Sequence, residues 1–429
     1  DKRPEQMVKE AIEYFHDEFG CRIFNLSVGD REQLYCAGRQ FAWAEMLDAL
    51  SRELDIVMVI SAGNLDNPEL AEFISREQLM EQCRDQLFQK EHRLIAPATS
   101  ALGITVGSIT RFDEPSAIPH GIARISVGKK DYLSVFTRIG KGVNKAIKPD
   151  FVDYGGNFAV SQFTRGRNQW FKKDMRLLEP TLNNGNDKIF KGYCGTSFSA
   201  PHVTHIAARI ERALEKQLNE KPSANLIRSL LVNSARCTED MIEWGEKSKD
   251  GLYTGKDNPK QERRLRLYGF GKADESVLYS DYNRVTLFAE DRLSLPSFHL
   301  YKTPMPKAFL LTNADKSISI SLAYNPITRL SRKDYLTNNL WFEVFRKIDE
   351  ETLVQYKAKK ESGQDNEDDL DKFPNQYKAD FSPGYKEISK GTLQQRIWKK
   401  KARGGKDLLW DVNDPYIYIL VTGKERFKY

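Results

Sequence analysis

The chain has 429 residues, long enough for two or three domains around a sizeable core. Charged residues make up 29% of it and the net charge of +6 is spread over the whole length, a solubility property that points to no nucleic-acid partner. No apolar run reaches the roughly 18 residues that read as a bilayer-crossing helix, which argues against a transmembrane helix.

From Pro4 to Phe15, Met7, Val8, Ala11, Ile12 and Phe15 recur at helical spacing and predict an amphipathic helix. Arg22 to Val28 follows as a short strand, and Trp43, Met46, Leu47, Leu50 and Leu54 mark a second helical stripe. Ile56 to Ile60 is an unbroken apolar run, the pattern of a strand covered on both faces. Ile104 to Ile109 adds another strand and Phe151 to Asp153 an edge. Helix, strand, helix, strand at this spacing implies parallel pairing through crossover connections, hence an α/β fold. Leu65 to Arg93 is polar and helical in character and reads as an insertion without chemistry. Ser223 to Ala235 predicts a helix with Leu226, Ile227, Leu230 and Leu231 on one face and Ser223 as its cap.

The pattern changes after about residue 285. Ser317 to Tyr324 alternates strictly, and Leu340 to Phe345 and Tyr416 to Val421 also read as strands. Residues 1–285 are therefore expected to form the α/β domain and residues 286–429 an antiparallel β-sandwich. The Asp-rich stretch Glu361 to Lys372 reads as a solvated loop. The cluster Lys399, Lys400, Lys401 and Arg403 after Trp398 reads as a solvated basic turn.

Five cysteines, Cys21, Cys36, Cys83, Cys194 and Cys237, are odd in number, scattered and without a C-x-x-C pair. They read as free buried thiols in a reducing, cytoplasmic compartment. The chemistry lies in Gly195-Thr196-Ser197-Phe198-Ser199-Ala200-Pro201-His202. Gly195 permits close backbone approach, Pro201 suits a first helical turn, and Ala207 and Ala208 leave room for packing. The hydroxyl of Ser197 is thus expected at a helix N-terminus, where positive potential favours developing negative charge. A nucleophile elbow of the form Gly-x-Ser-x-Gly would need glycine at position 199, which is Ser199. Cys194 reads as a small wall residue behind the serine.

Gly195 to Val203 resembles the nucleophile motif of the subtilisin-like serine proteases (subtilases), Gly-Thr-Ser leading into Pro-His-Val. The resemblance implies Ser197 as nucleophile and a subtilisin-like parallel sheet flanked by helices. Ser61-Ala62-Gly63-Asn64 resembles the family strand ending in Ala-Gly-Asn, which implies that the Asn64 amide and the Ser197 backbone N–H stabilise an oxyanion. Asn25-Leu26-Ser27-Val28-Gly29 looks like the strand that pairs with an extended substrate. Ser27, Val28 and Gly29 would then line one wall of a specificity pocket, and Ala62 and Gly63 the other. Phe136-Thr137-Arg138-Ile139-Gly140 and Ile147-Lys148-Pro149-Asp150 resemble family elements that serve the fold. Tyr268-Gly269-Phe270-Gly271-Lys272 resembles the turn that closes the catalytic domain.

The family's triad aspartate in Asp-x-Gly and histidine in His-Gly-Thr have no counterpart here. His120-Gly121 lacks the threonine, His202 and His205 ride on the serine's own helix and read as core histidines, and His16, His92 and His299 lack supporting context. The expectation is a fragment of a longer subtilase, nearly inert by itself, acting on a protein or peptide substrate. The alternative is an inactive, peptide-binding relative; an esterase is disfavoured by the extended edge at Ser27 to Gly29. Many subtilases bind calcium, but no carboxylate spacing here names ligands, so neither metal nor cofactor is assigned.

Overall fold

Four parallel strands form the central sheet, in the spatial order Ile23–Leu26, Val57–Ser61, Ile104–Ile109, Phe151–Tyr154. The computed structural model describes residues 2–66, 73, 75–117, 123–161, 171–185, 188–247, 259–281, 283–332, 334–362, 379–402 and 415–426. All five residues of Val57–Ser61 are buried, because both faces of this strand are covered. Val57 and Val59 pack with Ala200, Val203 and Ala207 of the helix Thr196–Leu218. Met58 and Ile60 pack on the opposite face with Trp43, Leu47 and Leu50 of the helix Ala42–Glu53. The unbroken apolar run is the sequence trace of this two-sided burial.

The helix Pro4–Phe19 extends one turn beyond the predicted Phe15 and ends at Gly20, whose φ of 65° is the left-handed conformation that closes helices. Ser223 caps the helix Ala224–Ser234 as expected, its hydroxyl accepting the Leu226 N–H at 3.0 Å. The expected edge at Phe151 to Asp153 is the strand Phe151–Tyr154, and the closing turn seals it. Phe270 N–H donates to the Asp150 carbonyl at 2.9 Å and Val152 N–H to the Gly271 carbonyl at 3.0 Å.

The segment Leu65 to Arg93 is more than an insertion. Its helix Arg76–Gln86 buries Leu79 and Cys83 against Val127, Val135 and Val160, so it supplies one wall of a separate apolar cluster.

Beyond residue 285 the chain builds antiparallel sheets. Tyr416–Glu425 lies between Phe298–Pro304 and Asn338–Phe345, and Lys316–Ala323 pairs with Leu393–Lys400. Lys399 and Lys400 are therefore strand residues opposite Ser317 and Lys316, not a basic turn. Buried Trp398, opposite Ile318, carries the ladder that far. Arg403 and residues 363–372 of the Asp-rich stretch lie outside the described residues.

One hydrophobic core crosses the expected boundary at residue 285. Val57, Val59 and Phe151 belong to the same cluster as Ile320, Phe342, Val344, Leu393 and Trp398, with Ile227 and Leu231 between them. Polar contacts reinforce the seam. Arg228 donates to the Thr392 hydroxyl at 2.8 Å, and Gln395 donates to the Val232 carbonyl at 2.6 Å. The fully buried Asp48 carboxylate accepts from Tyr335 Oη at 2.6 Å, Ser100 Oγ at 2.5 Å and the Ala101 and Leu102 N–H groups at 3.0 and 2.8 Å. Burial raises the Asp48 pKa, and these four donors oppose that shift.

Replacing Tyr335 with Phe removes one donor from this buried carboxylate and is expected to destabilise the protein by about 1.5–3 kcal/mol. Urea denaturation measures it; an unchanged midpoint would mean that the Asp48 contact does not hold the two parts together.

Candidate active site

Ser197 is the second residue of the helix Thr196–Leu218, whose axis runs across one face of the parallel sheet. Its N–H belongs to the first turn, where backbone donors have no acceptor within the helix. Gly195 precedes the helix with φ 151° and ψ 157°, a conformation that L side chains rarely adopt. A Cβ there would also sit 3.0 Å from Asn64 Nδ2. Glycine thus lets Asn64 approach the start of the helix.

Asn64 follows the end of the central strand Val57–Ser61. Its amide oxygen accepts two hydrogen bonds from Thr196, from N–H at 2.9 Å and from the hydroxyl at 3.1 Å. The same hydroxyl accepts the Gly63 N–H at 3.2 Å. These two donors on Oδ1 fix the orientation of the amide and turn its NH2 toward Gly195, on the approach to Ser197. Thr196, read at first only as part of the motif, is the residue that orients Asn64.

The loop carrying Asn64 is clamped from its other side. Asn64 forms an antiparallel bridge with Thr137, Leu65 N–H donates to the Phe136 carbonyl at 2.8 Å, and Arg138 N–H to the Gly63 carbonyl at 3.2 Å. The buried Arg138 guanidinium donates to the carbonyls of Glu91, Arg93 and Asn64 at 2.6, 2.9 and 3.3 Å. Phe136 to Ile139 therefore does serve the fold, and what it holds is the Asn64 loop.

Ser27, Val28 and Gly29 continue the edge strand Ile23–Leu26 past its last paired residue, and Val28 is 57% exposed. Ala62 is fully buried. Gly29 and Gly63 close on one side chain: a Cβ would meet Ile95 Cδ1 at 3.0 Å from Gly29 and 2.8 Å from Gly63. Ile95 is the residue that brings these two segments together, and nothing in its local sequence marks it.

Among the described residues no histidine is hydrogen-bonded to Ser197. His202 and His205 are not core histidines. His202 is half-exposed with Nδ1 3.3 Å from buried Asp153, and His205 faces solvent. Helical geometry explains this, since positions five and eight beyond Ser197 leave the sheet-facing stripe of Ala200, Val203 and Ala207. The buried histidine is His92, whose Nδ1–H donates to the Thr137 carbonyl at 3.1 Å. Burial holds its pKa below the ordinary 6.5. His120 and Gly121 lie outside the described residues. Cys194 packs against Gly156, and burial raises its pKa to about 11, so it sits as a thiol wall beside the motif. All five cysteines are free, although Cys36 is exposed and only Cys83 is fully buried.

Residues 3–271 match the family model described as the subtilase family. The uncharacterized protein y4bN of Sinorhizobium fredii (strain NBRC 101917 / NGR234) is 32% identical over 398 residues, covering 91% of this chain and 86% of its own length. Among solved structures, a lanthipeptide protease aligns at 15% identity and a TM-score of 0.34, over 63% of this chain and 64% of its own. The patellamide maturation protease PatA aligns at 19% identity and a TM-score of 0.34, over 64% of this chain and 68% of its own. About a third of each solved chain lies outside the likeness.

Thr196→Val leaves the Asn64 oxygen and the Gly63 N–H without the hydroxyl and is expected to cost about 1–3 kcal/mol in urea denaturation, whereas Thr196→Ser costs much less. A larger loss in Thr196→Ser than in Thr196→Val would show that the methyl group, not the hydrogen bonds, matters. His92 supplies a pH signature. On acidification below about 6.5 the unfolded chain takes up a proton that folded His92 resists, so stability falls as pH falls through that window. His92→Asn keeps a donor without titrating, and the difference in melting temperature between the two proteins should narrow from pH 7 to pH 5; a constant difference would refute the assignment.

Proposed function

This chain belongs to the subtilase family, and from that membership we propose that it is a serine-type endopeptidase, with Ser197 as nucleophile and Asn64 as oxyanion donor. The observation that carries the reading is the Asn64 amide, whose oxygen is occupied by Thr196 and whose NH2 lies beside Gly195 on the approach to Ser197.

Ser197 Oγ attacks the scissile carbonyl carbon and its proton passes to a general base, the role a histidine fills in the family. The carbonyl π electrons move onto oxygen, where the Asn64 NH2 and the Ser197 N–H donate to the oxyanion. Collapse breaks the C–N bond, the amine leaves with the proton, and an acyl-enzyme remains for water to hydrolyse. The substrate is a protein or peptide, extended along Ser27 to Gly29, with Gly29 and Gly63 on either side of Ile95.

A second reading is a peptide-binding subtilase relative without turnover. It is favoured by one observation, that no described histidine is hydrogen-bonded to Ser197.

A fluorophosphonate probe on the full-length gene product separates the two. The peptidase reading expects labelling that Ser197→Ala abolishes, and peptide hydrolysis whose kcat falls by roughly 100- to 1000-fold in Asn64→Ala, the range measured for this kind of donor in subtilisin itself. Peptide binding without any labelling would leave the binding module as the function.

A further inference from the structure

We propose that the β-ribbon leading into the nucleophile, Glu179–Leu182 paired with Phe190–Tyr193, is a docking surface for an acidic stretch of polypeptide substrate with apolar residues among its carboxylates. The proposal rests on the peptidase reading for the word substrate, and on the ribbon itself for the rest.

Directly opposed residues of an antiparallel pair share a face. The register therefore puts Leu182 with Phe190 and Pro180 with Gly192 on one face, and Thr181 with Lys191 and Glu179 with Tyr193 on the other. The first face is apolar and exposed at Leu182 and Phe190, while Gly192 is buried against Leu178. Leu182 is 74% exposed, Phe190 62%, and Met175, whose sulfur would lie 3.1 Å from a Cβ on Gly192, 63%, while Ile189, next to Phe190 in the chain, is 73% exposed. Contiguous exposed apolar surface of this kind marks interaction sites on folded proteins.

Among the described residues of this stretch the exposed charges have one sign. In residues 171–185 and 188–193, Lys172, Lys173, Arg176, Lys188 and Lys191 are exposed. The two carboxylates of the same described stretch are buried and already engaged, Asp174 by Arg124 at 3.0 Å and Glu179 by Arg111 at 3.2 Å. Glu114 of a neighbouring segment faces Arg176 at 3.8 Å, which leaves the four lysines as the cationic surface. Exposed apolar residues on one face, Lys191 on the other and further exposed lysines in the same stretch fit a chain of alternating acidic and apolar residues. The ribbon does not fit a second copy of itself, because a two-fold contact would press the same cations together.

The ribbon is also tied to the nucleophile. The Lys191 ammonium lies 5.2 Å from the Tyr193 ring centroid, and Tyr193 stacks on Phe198 with centroids 6.1 Å apart and planes 14° off parallel. Phe198 follows Ser197. The Lys191 and Tyr193 face of the ribbon thus reaches the residue beside the serine.

Fluorescence anisotropy on the full-length gene product tests this with three labelled peptides: alternating Glu with Leu and Phe, the same with Lys for Glu, and the same with Ser for Leu and Phe. The first is expected to bind at least about tenfold more tightly than the others, more weakly as salt rises, and equally well to Ser197→Ala. Phe190→Ser and the pair Lys188→Glu with Lys191→Glu, all at exposed positions, should each weaken it by about tenfold while the melting temperature holds. Equal affinity for the Glu and Lys peptides, or for the ribbon variants, overturns the docking surface even where Ser197 labels with fluorophosphonate. Ribbon-dependent binding without labelling upholds the docking surface, and only the peptidase reading falls. Dimerisation lost in Phe190→Ser, or ribbon-dependent binding to phosphatidylserine vesicles without peptide binding, also overturns it.

Discussion

Two hydrogen bonds from Thr196 to the amide oxygen of Asn64 join the end of the central strand to the first turn of the serine's helix. Everything else in the site is arranged around that joint. Because Oδ1 is occupied, the NH2 of Asn64 has one direction left to it, and Gly195 leaves room on that side. The backbone of the Asn64 loop is held separately by Phe136, Thr137 and Arg138, so the side chain is oriented by one segment and its loop by another. Fixing a donor before any substrate arrives is how a hydrogen bond lowers a barrier, since no reorganisation remains at the moment charge develops.

The joint stands on a sheet covered on both sides, and its rigidity comes from packing. The helix that begins at Thr196 buries Ala200, Val203 and Ala207 on the strands, and the small residues bring the helix axis close. Behind it, the helix Ala224–Ser234 is shared with the C-terminal sheets, through Leu231 and Ile227 on the apolar side and Ser229 and Asn233 on the polar side. The C-terminal part therefore completes the core that carries the helix of Ser197. Asp48 and Tyr335, 287 positions apart, make the same connection on the other side of the sheet.

Features written in backbone chemistry were legible in the sequence. The two-sided strand shows as an unbroken apolar run, Ser223 as a helix cap, and Gly195 as a position that excludes a side chain. Features that depend on distant partners were not. Arg138 looked like part of a structural motif, and only folding shows its guanidinium under the carbonyls of residues 91, 93 and 64. Ile95 carries no local signal for the space between Gly29 and Gly63. His202 is half-exposed on Asp153 because its angular position leaves the apolar stripe, which the motif alone does not reveal. The ribbon of residues 179–193 went unpredicted, since its strands are four residues each and mix Pro, Lys and Gly with apolar positions. Its exposed Leu182, Ile189 and Phe190 break the inside-apolar rule that sequence reading relies on.

On the proposed reading Asn64 presents its NH2, not its oxygen, to an oxyanion formed at Ser197. A crystal structure of the full-length gene product carrying a peptide phosphonate on Ser197 tests it directly. The account predicts Asn64 Nδ2 at about 2.7–3.1 Å from the phosphonyl oxygen while Oδ1 keeps both Thr196 bonds. An adduct oxygen directed away from Asn64, or an amide turned so that Thr196 loses its acceptor, would contradict it.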